Sequence, residues 1–181
     1  MSFDNDAALR RLANRLVRDK THEGWAISNE KLLLQRWGGR GGDVGVFSAP
    51  SLHAAGGELW YRTMLKAEFD ILFKEGRLAP PGYGGITNSR EYAEGYLTVS
   101  RKATTEEDAK RGTHTVEFFV VSPIDLRTEL KYVGLEEKAE AGAMSFGLGP
   151  AQKNGVGAEY FNTLLSSKMA KWRLVGLLAD V

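Results

Sequence analysis

Apolar residues recur at helical spacing near the start of the chain, where Leu9, Leu12, Ala13, Leu16 and Val17 share one side of residues 4–20 and basic residues take the other. With Asp4 or Asn5 as a cap, this pattern predicts an amphipathic helix. Its basic face reads as a solvated surface, with a partner or anion surface as the alternative. The stretch "SNEKLLLQRW" over residues 28–37 predicts a second short helix, stopped by Gly38 and Gly39. Residues 1–50 are therefore expected to form a helical N-terminal extension that leaves through the loop "GGRGGDVG".

The pattern changes at residue 57. The aromatic "ELWYRTM" predicts a strand, and residues 64–75 then place Leu65, Phe69, Leu72 and Phe73 on one helical face before Gly76. "GGITNSREYAEGYLTVS" reads as a short strand at Ile86, a cap at Asn88 or Ser89, and a helix through Tyr92, Ala93 and Tyr96. In "HTVEFFVVSPIDL", Val116, Phe118 and Val120 alternate with Glu117, Phe119 and Val121 until Pro123 ends the strand. "AEYFNTLL" and "KWRLVGLLA" predict two closing strands, the latter with Trp172, Leu174 and Leu178 on one side. "LEEKAEAG", carrying Glu136, Glu137 and Glu140, reads as a solvated helix face. The whole is an α+β fold, with one domain over residues 51–181 behind the extension.

Composition narrows the chemistry. Lys and Arg number 24 against 23 Asp and Glu, a net charge of +1, so nothing here calls for nucleic acid or a membrane surface. There is no cysteine, and His22, His53 and His114 share no ligand-like spacing, so no metal is expected. No apolar run reaches the roughly 18–20 residues of a membrane span. The start "MSFDNDAALRR" lacks the apolar core of a secretory signal, so a soluble protein is expected. No dinucleotide-binding glycine fingerprint and no P-loop is present.

One residue stands out against this background. Arg62 occupies the centre of an apolar, aromatic strand, and burying a guanidinium is costly without a partner. That partner is either a carboxylate, with Glu117 and Glu159 as candidates, or an anionic ligand.

Taken in order, "WYR" at Arg62, "TNSREYA" with Thr87, Asn88, Ser89 and Ala93, "VEFFVVSPIDL", and "NGVGAEYF" with Glu159 resemble the motifs of the ADP-ribosyltransferase superfamily. The likeness is to its small bacterial toxin branch with an Arg-Ser-Glu pattern, and it covers roughly residues 57–181. It implies a split mixed β-sheet core and an enzyme that uses NAD as co-substrate. It implies catalytic roles for Glu159, Arg62 and Ser89, and an NAD site built from Arg62, Tyr61, Thr87, Ser89, Tyr92 and Tyr96. In this reading Arg62 grips the pyrophosphate, Glu159 supports an oxocarbenium-like ribosyl cation from a strand, and Tyr92 or Tyr96 stacks on nicotinamide. Phe146, Gln152 and Lys153, in the loop before Glu159, are the implied substrate contacts.

Arginine-modifying members carry Gln or Glu two residues before the catalytic Glu, whereas this chain has Gly157 there. The implied acceptor is therefore not a protein arginine addressed in the usual way. The resemblance further implies a toxin or effector acting in the cytoplasm of a target cell, delivered by a specialised secretion system and held in check by an immunity or antitoxin protein. Two rival readings accompany it: an NAD glycohydrolase with water as acceptor, and a non-catalytic module that docks a partner. Duller roles also stand open, with Ser89 as a helix cap, Tyr92 and Tyr96 as core, and His114 as a half-buried strand residue.

Overall fold

The computed structural model describes residues 33–39, 42–48, 51, 53–97, 112–140 and 142–179. The helix expected over 4–20 lies outside them. The fold is α+β. Its strands are β1 (Leu33–Gly39), β2 (Gly42–Ser48), β3 (Gly57–Met64), β4 (Gly85–Thr87), β5 (His114–Val121), β6 (Lys138–Glu140), β7 (Ala143–Gly147) and β8 (Ala170–Ala179). They form one sheet in the order β1-β2-β8-β5-β3-β4-β7-β6, and every ladder is antiparallel. Four helices lie among the described residues: α1 (Lys66–Glu75), α2 (Arg90–Glu94), α3 (Leu126–Tyr132) and α4 (Val156–Ser166).

Three local expectations are corrected. Of the helix expected over 28–37, the described part is strand: Leu33–Gly39 is β1 and pairs with β2, whose other edge pairs with β8. Docking on an existing strand outweighs the weak helical preference of a short leucine run. "AEYFNTLL" lies within α4: its aromatics suggest a strand, but the buried positions Ala158, Phe161 and Leu164 recur every three residues, a helical period. "LEEKAEAG" contains β6, which pairs with β7 through a turn at Gly142 with φ +78°.

The two faces of the sheet differ. Trp60 and Met64 of β3, Val116, Phe118 and Val120 of β5, and Trp172 and Leu174 of β8 pack against Phe69 and Leu72 of α1 and Phe161 and Leu164 of α4. Phe118 meets Phe161 edge-on at 4.9 Å between ring centres. α1 ends on Gly76, whose left-handed φ of 70° lets its N–H reach the Leu72 carbonyl. The opposite face is polar although buried. There Thr63 Oγ1 donates to the Ala93 carbonyl of α2 at 2.5 Å and lies 2.7 Å from Thr115 Oγ1.

The split mixed sheet takes a different form here. The sheet is continuous and antiparallel, but β3 and β4 meet at a single register pair, Tyr61 with Thr87. By contrast, β3 pairs with β5 along all eight of its residues. The sheet thus has two lobes joined at one rung.

His114, at the start of β5, is buried rather than half-buried and stacks on Phe69 at 4.4 Å. Burial lowers its pKa to about 4, with Asp70 acting weakly upward and Lys66 downward. The neutral ring is therefore the folded form, and the unfolded chain binds the proton more readily between pH 6.5 and 4. Stability is expected to be full above pH 6.5 and to fall by about 3 kcal/mol as pH drops through that window. Urea denaturation at pH 7 and pH 4.5 checks this, and His114→Gln should flatten the dependence.

Candidate functional site

The lone rung between β3 and β4 places a cavity at the junction of the two lobes. It holds about 350 Å³, open mouth included, and is lined by Tyr61, Arg62 and Thr63 of β3, Gly85–Thr87 of β4, Tyr92, Ala93 and Tyr96 in and just after α2, and Ser145 of β7.

Its floor is set by register. Residues directly opposite one another in antiparallel strands share a face. Glu117 lies opposite Tyr61, Tyr61 opposite Thr87, and Thr87 opposite Ser145. Arg173 extends the row from β8 and donates from Nε to Glu117 Oε1 at 3.1 Å. The Tyr61 hydroxyl lies 3.3 Å from Ser51 Oγ, and its pKa is raised, first by burial and also by Glu117, against the hydrogen bond from Ser51 and the charge of Arg90. A line of polar side chains thus crosses five strands beneath α2.

α2 is held over this row by its cap. Ser89 Oγ accepts from the Tyr92 N–H at 3.1 Å. Tyr92 and Tyr96 meet edge-on at 5.4 Å, their hydroxyls 3.1 Å apart. Together they make an aromatic wall with a polar rim.

Arg62 points the other way, toward α1, and its partner is a carboxylate that neither candidate anticipated. Its Nε donates to Glu68 Oε1 at 2.9 Å, its Nη2 donates to Glu68 Oε2 at 2.8 Å, and its Nη1 donates to the Gly85 carbonyl at 2.9 Å. Arg62 and Glu68 are only 3% and 4% exposed, so this is a buried bidentate pair. The fork has five N–H donors and these bonds use three, which leaves two on the terminal nitrogens. A side chain at position 84 would cover that edge, since a Cβ on Gly84 would stand 2.8 Å from Nη2 and 3.0 Å from Nη1. Gly84→Ala is expected to cost about 1–3 kcal/mol by overpacking, read by thermal unfolding.

The residues implied by the resemblance are distributed as follows. Tyr61, Arg62, Thr87, Tyr92 and Tyr96 come together in the cavity. Ser89 does not line it and acts as the cap of α2. Glu159 is exposed in the first turn of α4, on a helix rather than a strand, and is not among the lining residues. Gly157 packs against Leu135 and Leu148, where a Cβ would collide with both side chains. On a helix, positions 157 and 159 point in different directions, so the inference about the acceptor drawn from their spacing does not carry over. Phe146 is core, 1% exposed, with its ring 6.2 Å from that of Trp60. Gln152 packs its side chain toward Gly147, and Lys153 is exposed; neither lines the cavity.

Sequence reasoning missed Glu68 and Ser145. Glu68 sits six residues after Arg62, the distance from mid-strand to the first turn of the following helix, and that proximity was the available signal. Ser145 carried none, because its place depends on β4–β7 pairing. Among the described residues no group of His, Asp or Glu is arranged to hold a metal ion, and no helix is long and apolar enough to cross a membrane. No family model matches the chain, and neither a curated protein nor a solved structure is similar to it.

Proposed function

We propose that the cavity binds the nicotinamide–ribose end of NAD and that the protein is an NAD-dependent ADP-ribosyltransferase. The observation that supports this reading is the convergence of Arg62, Thr87, Tyr92, Tyr96 and Ser145 on one cavity at the single-rung junction of the sheet. The aromatic wall suits a planar ring, and the hydroxyls of Thr87 and Ser145 suit ribose.

The chemistry asks little of the protein beyond position and field. The bond between the nicotinamide nitrogen and ribose C1′ breaks, and its electron pair leaves on neutral nicotinamide. The acceptor then forms its bond to C1′ and releases its proton to solvent. The site must hold the ring, shield the ribosyl cation and admit the acceptor. With water as acceptor, the same site is an NAD glycohydrolase. The toxin or effector role and an immunity partner rest on the sequence resemblance alone.

One observation favours a second reading, a nucleotide-binding module without turnover: none of the lining residues is a carboxylate. Nicotinamide release from NAD by the full chain, with and without a cytosolic extract as acceptor source, separates the readings. Release that falls at least tenfold in Tyr92→Ala and in Thr87→Ala supports the transferase, and label on a macromolecule distinguishes transfer from hydrolysis. NAD binding without release assigns the module, and neither binding nor release sinks both.

A further inference from the structure

The polar side of the sheet carries an inference about what holds the aromatic wall of the cavity in place, and only the choice of ligand probe rests on the NAD reading. Burying a hydroxyl costs free energy unless it is bonded, and a valine of the same shape would suit a strand better. Yet Thr63 and Thr115, opposite one another in the β3–β5 ladder, are 5% and 0% exposed. Thr63 also lines the cavity.

The directions of their bonds follow from the number of protons. Thr63 has one hydroxyl proton, and it goes to the Ala93 carbonyl at 2.5 Å. The contact at 2.7 Å between the two Oγ1 atoms is therefore donated by Thr115, and the pair forms a relay that ends on α2. The Ala93 carbonyl accepts the Tyr96 N–H as well, at 3.1 Å, which fills both of its lone pairs. Tyr92 and Tyr96 stand on either side of that carbonyl along the chain, and both line the cavity.

α2 has five residues, too few to hold a direction by its own backbone bonds. Its first turn is tied by the Ser89 cap and by Arg90, whose Nη1 donates to Ser51 Oγ at 2.7 Å and whose Nη2 donates to the Val175 carbonyl of β8 at 3.4 Å. Its last turn is tied to the sheet by Thr63. We infer that Thr63 is a positioning residue: its hydroxyl, backed by Thr115, anchors the end of α2 to β3 and so sets the edge-on pair of Tyr92 and Tyr96 that walls the cavity.

The test uses the full chain with nicotinamide riboside as the probe, and fluorotyrosine labelling so that fluorine NMR reports the tyrosines, with Tyr92→Phe and Tyr96→Phe to assign the two of interest. Thr63→Ser keeps the hydroxyl and should leave riboside affinity and both resonances as in the wild type. Thr63→Val combined with Thr115→Val removes both hydroxyls, strands neither, and should keep the urea midpoint close to that of the wild type. In that folded double variant the Tyr92 and Tyr96 resonances should shift, while those of Tyr132 on α3 and Tyr160 on α4 stay in place. Riboside should bind it about tenfold more weakly, as expected when about a tenth of the molecules hold the wall in position.

A folded double variant with wild-type Tyr92 and Tyr96 resonances overturns the inference. So does a Thr63→Ser that behaves like the double variant, since the effect would then belong to the lost methyl. If the double variant does not fold, Thr63→Ser against Thr63→Ala decides, because these differ in the hydroxyl alone: equal resonances overturn the inference, and shifts confined to the alanine variant uphold it. The two readings fail separately. A wild type that ignores the riboside sinks the NAD reading and leaves the resonances to decide the role of Thr63. Riboside that binds the wild type and the double variant equally sinks the role of Thr63 and leaves the NAD reading standing.

Discussion

Arg62→Ala is expected to lower the free energy of unfolding by about 3–5 kcal/mol, because it leaves the Glu68 carboxylate buried with its bidentate partner gone. Glu68→Ala should cost a similar amount by stranding the guanidinium, which would keep only its bond to the Gly85 carbonyl. The informative variant is the pair removed together. Replacing Arg62 with Met and Glu68 with Leu takes away both desolvation costs, and stability should return to within about 1 kcal/mol of the wild type or exceed it. Urea denaturation of the three variants measures this. If the single variants lose no more than a surface pair would, below about 1 kcal/mol, the buried pairing is wrong.

Phe161→Ala should cost about 3–5 kcal/mol, whereas Glu159→Gln, two residues earlier, should change neither stability nor nicotinamide release. Phe161 is wholly buried and meets Phe118 of the central strand edge-on, so truncation removes both the transfer energy of the ring and its partner contact. Glu159 points to solvent from the first turn of the same helix. The pair of variants tests the conformation of residues 156–166 as well as the site. Were this segment a strand with a catalytic carboxylate, Glu159→Gln would abolish release. Thermal unfolding and a release assay on the two proteins decide between them.

Much of the domain was legible because local pattern and final environment agree. The alternation of Val116, Phe118 and Val120 predicts β5, and all three are fully buried. Gly76 closes α1 and Ser89 caps α2 because those roles need only a few neighbouring residues. The errors arise where the environment is not local. β1 exists through pairing with β2, which in turn docks on β8. α4 carries aromatic residues that favour strands in isolation, but its segment packs at helical spacing and its Asn162 holds Leu78 from both sides, accepting its N–H at 2.6 Å and donating to its carbonyl at 2.9 Å. Most of the cavity came from two short stretches, "YRT" and "ITNSREYAEGY", whose residues meet once β3 and β4 pair. Ser145 and the polar row through Glu117 were illegible, since neighbours across strands are defined by register and not by sequence distance.

The junction between β3 and β4 has a mechanical consequence. One rung carries the backbone connection between a five-strand lobe and a three-strand lobe, while the strands on either side are bound by longer ladders. A molecule seated between Arg62 and Tyr61 on one bank and Thr87 and Ser145 on the other would act as a removable cross-link. With the cavity filled, the two lobes would unfold as one cooperative unit and the amides of β4 would exchange at the slow rate of β5. With it empty, β4 and its neighbours would open first and independently.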